Sequence, residues 1–159
     1  MNLSPLRAAN VNKRDEGFTL IELLVVVVII GVLVAIAVPV YLNYRKGAAD
    51  KSAQSDVRGA ISAVEQFYTD NGNTYPDTVS GTNSGASATS SLGLTIGAAA
   101  ATQTITLSDK TQLSYVNHGA VYLICATNVG GSGKWYLYDC LQGGSVSAST
   151  AALSPTTCS

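Results

Sequence analysis

The feature that most constrains this chain is an apolar run from Phe18 to Leu42, in which Glu22 is the one charged residue. A helix of these 25 residues rises roughly 37 Å, which exceeds the bilayer's hydrocarbon thickness of about 30 Å. A carboxylate at the centre of such a span costs on the order of 3 kcal/mol and usually has a partner. The run itself contains no such partner, so we expect Glu22 either to pair with a group of another molecule or to snorkel to the headgroups.

The run predicts a single membrane span, because no second stretch of this kind occurs in the sequence. A secretory signal peptide is the competing assignment, but its apolar region is only about 7 to 15 residues long and ends at small residues. Small residues near position 37 resemble the cleavage site of a signal peptide. That assignment would make Pro39 the first mature residue, however, and would leave Glu22 unexplained.

Residues 17 to 22, Gly-Phe-Thr-Leu-Ile-Glu, resemble the prepilin peptidase site of type IV pilins and their relatives. Members of that family have a charged leader ending in Gly, an aromatic first mature residue and Glu four residues later. Gly17, Phe18 and Glu22 match these positions, and the leader before them carries Lys13 and Arg14. The resemblance implies cleavage between Gly17 and Phe18, N-methylation of Phe18, and pairing of Glu22 with the Phe18 amine of a neighbouring subunit. It covers about the first third of the chain strongly and the remainder in general plan.

The resemblance extends to Gly31 and Pro39 inside the apolar helix, where many pilins have helix-loosening residues. Pro39 cannot donate to the helical hydrogen-bond ladder and is expected to bend or loosen the helix. With the leader as residues 1 to 17, the hydrophobic membrane and polymerisation helix is expected over residues 18 to 42.

An amphipathic helix is predicted over residues 43 to 71, and it should lie against a globular core. Apolar and small residues recur there at steps of three and four, namely Ala49, Ala53, Val57, Ala60, Ile61, Val64, Phe67 and Tyr68. The opposite face carries Arg45, Lys51, Asp56, Arg58, Glu65 and Asp70. Asn71-Gly72 supplies the stop signal.

The remaining chain predicts a four-stranded antiparallel sheet over residues 103 to 142, which makes the fold class α+β. The resemblance implies that the architecture is the pilin fold, in which the long helix packs on this sheet. Short turns separate four strand-like runs at residues 103–107, 112–117, 120–128 and 134–141. In the third run either Val121, Leu123 and Cys125 or Tyr122, Ile124 and Ala126 could face the helix. The Ser/Thr/Gly-rich residues 72 to 102 predict a helix-to-sheet loop, whose serines 80 to 91 are glycosylation candidates by resemblance or plain connector residues. Residues 143 to 159 form a C-terminal tail.

Three cysteines, Cys125, Cys140 and Cys158, follow the span, and in an oxidising exterior two of them should pair. A turn at residues 130 to 133 would place Cys125 opposite Tyr138, so a bond to Cys140 needs a small shift of register. A bond between Cys140 and Cys158 would instead tie the tail to the last strand, as pilins often do. Both pairings stay open.

No catalytic residue, metal or cofactor is predicted. Three thiols and one histidine at wide spacing match no zinc pattern, and His118 lies in a predicted hairpin turn, so we interpret it as structural. Without residues 1 to 17 the chain keeps six of its nine basic and eight of its ten acidic side chains, a net charge of minus two. Direct nucleic-acid binding is therefore not expected.

The resemblance implies the major structural subunit of a type IV pilus, a surface filament for adhesion, twitching motility or DNA uptake. The partners it implies are identical subunits, a prepilin peptidase/methylase, the pilus assembly platform and the membrane. The protein would lie in the cytoplasmic membrane before assembly and in an extracellular pilus afterwards. A pseudopilin of a type II secretion or competence system is the alternative, although residues 141 to 159 lack the acidic residues of the pseudopilin calcium loop. A monomeric membrane-anchored binding domain is a third hypothesis, which leaves Glu22 without a role.

Overall fold

The computed structural model describes residues 17–149 and 152–159, so the leader up to residue 16 lies outside the described residues. The chain divides into two compact units, the first ending at Pro39 and the second running from Val40 to Ser159. The described residues form one long helix, a short 3-10 turn at Gly85–Ser87 and several strands. These are α1 (Leu20–Asp70), β1 (Val79–Thr82), β2 (Ser91–Leu94), β3 (Gln103–Thr106), β4 (Thr111–Asn117), β5 (Tyr122–Asn128), β6 (Trp135–Asp139) and β7 (Ser147–Ser149).

Helix α1 passes without interruption through Gly31 and Pro39. Because proline has no backbone N–H, the carbonyl of Ala35 lacks its usual helical donor at this point. The division into two units falls directly after Pro39. Loosening of the helix at Gly31 and Pro39 stays a prediction.

The second half of α1 is amphipathic, as the spacing predicts. The predicted face contains its buried apolar residues, which are Ala53, Val57, Ala60, Val64 and Phe67. These side chains pack with residues of the strands into the main hydrophobic core. Burying a Val or Phe side chain contributes about 1.5 to 3 kcal/mol relative to exposure, and burying the smaller Ala side chain contributes less.

Asp56 departs from the predicted pattern, since we expected it on the solvent face and it is buried. Its carboxylate accepts hydrogen bonds from the backbone N–H and the hydroxyl of Ser108, at 2.8 and 2.7 Å. Asp50, which is also buried, accepts bonds from the N–H and hydroxyl of Ser132. The loops that follow β3 and β5 therefore supply the donors that allow these two carboxylates to be buried.

The α+β class is confirmed, but the strands are arranged differently from the expected four-stranded meander. The main sheet is antiparallel and has five strands in the order β1-β4-β5-β6-β7, while β2 and β3 form a separate two-stranded sheet. Strands β1 and β2 come from the segment expected to be a loop, and β7 comes from the expected tail. In β2 the buried Leu92 and Leu94 alternate with Gly93, which gives this short Ser/Gly-rich segment an apolar face.

Strand β5 settles which of its faces meets the helix. Tyr122, Ile124 and Ala126 are fully buried in the core that contains the α1 residues. Cys125 lies in a second cluster with Val116, Trp135 and Cys158. The sheet therefore has two buried faces, the second covered by the C-terminal segment.

The disulfide joins Cys125 to Cys158, whose Cα atoms are 5.5 Å apart, and leaves Cys140 with a free thiol. Both expected pairings involved Cys140 and are therefore wrong. Cys125 lies opposite Leu137 rather than Tyr138, and it belongs to the second cluster, whereas Cys140 packs against the main core. The Cys140 sulfur instead accepts a 3.0 Å hydrogen bond from the N–H of Tyr122.

Candidate processing and assembly site

The first turn of α1 is closed by a capping box between Thr19 and Glu22. The backbone N–H and the hydroxyl of Thr19 both donate to Oε2 of Glu22, at 2.9 and 2.7 Å. In return, the N–H of Glu22 donates to Oγ1 of Thr19 at 3.3 Å. This reciprocal arrangement satisfies backbone donors that the start of a helix otherwise leaves unpaired.

The expectation that the apolar run contains no partner for Glu22 is therefore wrong, because Thr19 is that partner. The signal was present in the sequence, since Thr followed three residues later by Glu is the spacing of a capping box. Both bonds to the carboxylate use Oε2. Within the described residues Oε1 accepts no hydrogen bond, so the carboxylate keeps one oxygen for a further partner.

The bond between Gly17 and Phe18 precedes the helix and is open to another molecule. Residues 17 to 19 are not helical, and the Phe18 side chain is 89% exposed. A Cβ added to Gly17 would meet nothing within 4 Å. The described residues thus give no steric reason for glycine here, and any requirement for it would come from a processing enzyme. Cleavage at this bond and methylation of Phe18 stay predictions.

The apolar run presents its large side chains to the surroundings along its whole length. Every residue from 17 to 47 is exposed. Exposed apolar area of this extent is unfavourable in water and marks a surface that meets lipid or protein. Of the helices formed by the described residues, α1 is long and apolar enough to cross a membrane.

Catalytic or metal chemistry gains no support from the described residues. His118 is exposed and lies directly after β4, where its N–H donates to the carbonyl of Val121. No group of three or more His, Cys, Asp or Glu side chains in residues 17–149 and 152–159 could hold a metal ion.

Comparison with known proteins places the similarity at the same end of the chain. Residues 12–38 match the prokaryotic N-terminal methylation motif. The chain is 35% identical over 65 residues to the type IV major pilin protein PilA of Myxococcus xanthus, covering 41% of this chain and 30% of that protein. It is 41% identical over 61 residues to the type IV major pilin protein PilE of Neisseria gonorrhoeae, covering 38% and 36%. It is also 41% identical over 68 residues to the type II secretion system core protein G of Pectobacterium carotovorum, covering 43% of each.

The methylation motif and the similarity to type IV major pilins confirm the resemblance drawn from residues 17 to 22. The long apolar helix and the antiparallel sheet give the chain a pilin-like α+β fold. Type IV pilins are structural subunits. The chain spans less than half the length of the relatives named above, and these include subunits of both pili and a secretion system.

Proposed function

We propose that this protein is the major subunit of a type IV pilus and polymerises through residues 18 to 42. The observation that carries the proposal is a peptidase-type sequence joined to a capped, exposed apolar helix. One oxygen of Glu22, the single acid of that apolar helix, accepts no hydrogen bond from the described residues. Cleavage after Gly17 would free the Phe18 amine close to that acid. The amine of a neighbouring copy then supplies the positive charge that the apolar run lacks.

The proposed partners follow from this arrangement. A prepilin peptidase/methylase acts at Gly17 and Phe18, and the membrane holds the apolar helix before assembly. An assembly platform then transfers the subunit into a filament of identical copies on the cell surface. In that filament, residues 18 to 42 exchange lipid for the same segment of other subunits, so the apolar area stays out of water throughout.

A pseudopilin of a secretion system is the second candidate, favoured by the similarity to core protein G. Major secretion pseudopilins are expected to carry an acidic calcium-binding loop near the C-terminus. Residues 141 to 159 contain neither Asp nor Glu, and this supports the pilus.

The deciding experiment is mass spectrometry with N-terminal sequencing of protein sheared from the surface of its native host. We expect an abundant sheared species that begins at N-methylated Phe18. A processed form that stays with the membrane would favour the pseudopilin. An uncleaved chain would contradict filament assembly and leave a membrane-anchored monomer.

A further inference from the structure

A basic cavity lies between the part of α1 that follows the apolar run and the loops at residues 109–110 and 128–130. Its volume is about 330 Å³, and it is lined by Arg45, Lys46 and Lys110 together with Leu42, Ala49, Ser52, Asp109, Asn128 and Gly130. Three cations and one carboxylate, that of Asp109, thus face one space. Within the described residues none of the three cations forms an ion pair, and three positive charges against one negative charge leave the cavity with a net positive charge.

Lys110 is held in this cavity by an unusual backbone conformation. Its φ is 62°, in the left-handed region that glycine or asparagine normally occupies. Its N–H donates to the carbonyl of Asn83 at 2.9 Å, and its carbonyl accepts from the N–H of Val129 at 3.0 Å. The turn is therefore fixed from both sides, and a long basic side chain occupies a position where a smaller residue would be less strained.

The cavity floor is preorganised by the Asn128 amide. Its Nδ2 shares two N–H donors among Ser52 Oγ, the Asp109 carbonyl and Thr111 Oγ1, at 3.2, 2.9 and 3.1 Å. Its Oδ1 accepts from the N–H of Gly130 at 2.9 Å. These bonds fix the β3–β4 and β5–β6 loops against α1. Lys110 thus lies in a loop that is hydrogen-bonded to its neighbours, while Arg45 and Lys46 lie on α1.

The residues around Arg45 point to a membrane interface. Tyr41 and Tyr44 are 60% and 78% exposed, and the Arg45 guanidinium carbon lies 5.9 Å from the centroid of the Tyr41 ring. Tyrosine is enriched at the level of lipid headgroups, and basic side chains at the end of an apolar helix reach the same level. Arg45 and Lys46 follow Leu42, the end of the apolar run, within about one helical turn.

We propose that this cavity binds the phosphate group of an anionic membrane lipid. A phosphodiester offers oxygen acceptors to the Arg45 guanidinium and to the ammonium groups of Lys46 and Lys110, and its charge offsets their repulsion. The acyl chains would continue along Leu42 and the apolar helix. The site would hold the subunit at a fixed depth in the bilayer, and this role depends on the membrane span and not on filament assembly.

Native mass spectrometry of the full chain in a zwitterionic detergent tests the proposal, with phosphatidylglycerol, phosphatidylcholine of the same acyl chains and inorganic phosphate as separate probes. We expect phosphatidylglycerol to bind at least about ten-fold more tightly than phosphatidylcholine. The pair Arg45→Gln with Lys110→Gln should weaken phosphatidylglycerol binding about ten-fold. The control pair, Arg58→Gln with Lys134→Gln, removes the same charge from exposed residues outside the cavity and should change it less than about two-fold.

Lys110→Gly is a second variant that removes the side chain while suiting the backbone, so a folding defect can be separated from a binding defect. Equal losses in both double variants would overturn the proposal, because diffuse surface charge would then explain the binding. Inorganic phosphate binding as tightly as phosphatidylglycerol would overturn the assignment to lipid. Loss of self-association in the cavity variants with unchanged lipid binding would identify a contact between subunits instead, and would also overturn it.

Discussion

The hydroxyl of Tyr122 on β5 donates a 2.6 Å hydrogen bond to the carboxylate of Glu65 on α1. Together with the bonds of Asp50 and Asp56 to the loop serines, it makes three carboxylates along one helix that accept hydrogen bonds from the sheet and its loops. Apolar packing of the Val57 to Phe67 face holds α1 on the sheet, whereas these directional bonds fix where along the sheet it lies.

We expect Tyr122→Phe to lower the free energy of unfolding by about 1 to 2 kcal/mol, because it removes a hydrogen bond to a charged group. The exposed Glu65 can turn to water, which favours the lower end of this range. Urea unfolding of the full chain in detergent micelles, followed by circular dichroism, measures the change. Tyr138→Phe is the matched control from the same ring cluster, since the structure gives its hydroxyl no hydrogen bond among the described residues. Equal losses in the two variants would show that the bond is not responsible.

Tyr115→Phe should raise the free energy of unfolding, whereas Tyr122→Phe should lower it. The Tyr115 side chain is fully buried, and its hydroxyl has no hydrogen-bond partner among the described residues. Burying an unsatisfied hydroxyl costs on the order of 1 to 3 kcal/mol, so its removal should raise the free energy of unfolding by about 1 kcal/mol. The same urea titration measures this change, and a destabilised variant would indicate that the hydroxyl has a partner, such as a buried water.

Alkaline pH should destabilise the globular head, which is the second unit from Val40 to Ser159, through its buried and half-buried tyrosines. Desolvation is the main cause that raises the pKa of four hydroxyl groups, and Glu65 adds to the shift at three of them; the four residues are Tyr75, Tyr115, Tyr122 and, without a contribution from Glu65, Tyr136. An unfolded chain ionises its tyrosines near pH 10, whereas the folded head keeps these protons bound. Unfolding therefore releases protons above about pH 10. As a result, the free energy of unfolding falls as the pH rises past that value. Below it these tyrosines do not change the free energy of unfolding.

Urea titrations at a series of pH values, with tyrosinate absorbance recorded in parallel, test this dependence. Tyr115→Phe should make the decline above about pH 10 shallower, since one of the shifted groups is gone. Ionisation of all tyrosines while the circular dichroism stays native would contradict the prediction.

Cys158→Ser should lower the free energy of unfolding by a large amount, because it removes the disulfide. The bond closes a loop with a sequence separation of 33 residues, for which chain entropy gives a stabilisation of about 3 to 4 kcal/mol. Cys140→Ser is the control, because serine retains an acceptor for the N–H of Tyr122 and leaves the bond intact. Peptide mapping without reduction should recover Cys125 linked to Cys158. A larger loss of stability in Cys140→Ser than in Cys158→Ser would contradict the observed pairing.

The helical half of the fold could be predicted from sequence because its signals are local. Steps of three and four place the Val57 and Phe67 face in the core, and composition alone marks residues 18 to 42. The sheet depends on distant pairings, such as β1 with β4, which no short pattern records. The burial of Asp56 was missed for the same reason, since its donor Ser108 lies 52 residues away in sequence.

At the site, the sequence indicated Gly17, Phe18 and Glu22, and their roles in processing and assembly stay predictions. From the sequence, Glu22 was interpreted only by the absence of a positively charged side chain near it. The structure adds a local function, because Glu22 caps its own helix through Thr19. Substitution of Glu22 by alanine would consequently remove two things at once, the carboxylate's bonds in the capping box and the charge proposed to pair between subunits.

Glu22→Gln and Thr19→Ala separate these two contributions. Glutamine at the third helical position can still accept from Thr19 and complete a capping box, but it carries no charge. We expect Glu22→Gln to insert and be processed normally while the yield of sheared filament falls at least about ten-fold, the value for losing roughly 1.4 kcal/mol per subunit contact. Thr19→Ala keeps the carboxylate and the bond from the backbone N–H of residue 19, but it loses both bonds of the hydroxyl, at a cost of about 1 kcal/mol in helix stability. It should retain most of the filament yield.

Immunoblots of sheared and membrane fractions from the native host, normalised to processed subunit, measure both variants. If the capping box were the main role of Glu22, Thr19→Ala would lose filaments and Glu22→Gln would keep them. That reversed result would contradict pairing with the Phe18 amine, because only the charge distinguishes Glu22 from Gln at this position. The membrane fraction provides the internal check, since equal amounts of processed subunit there exclude a defect in insertion or cleavage as the cause.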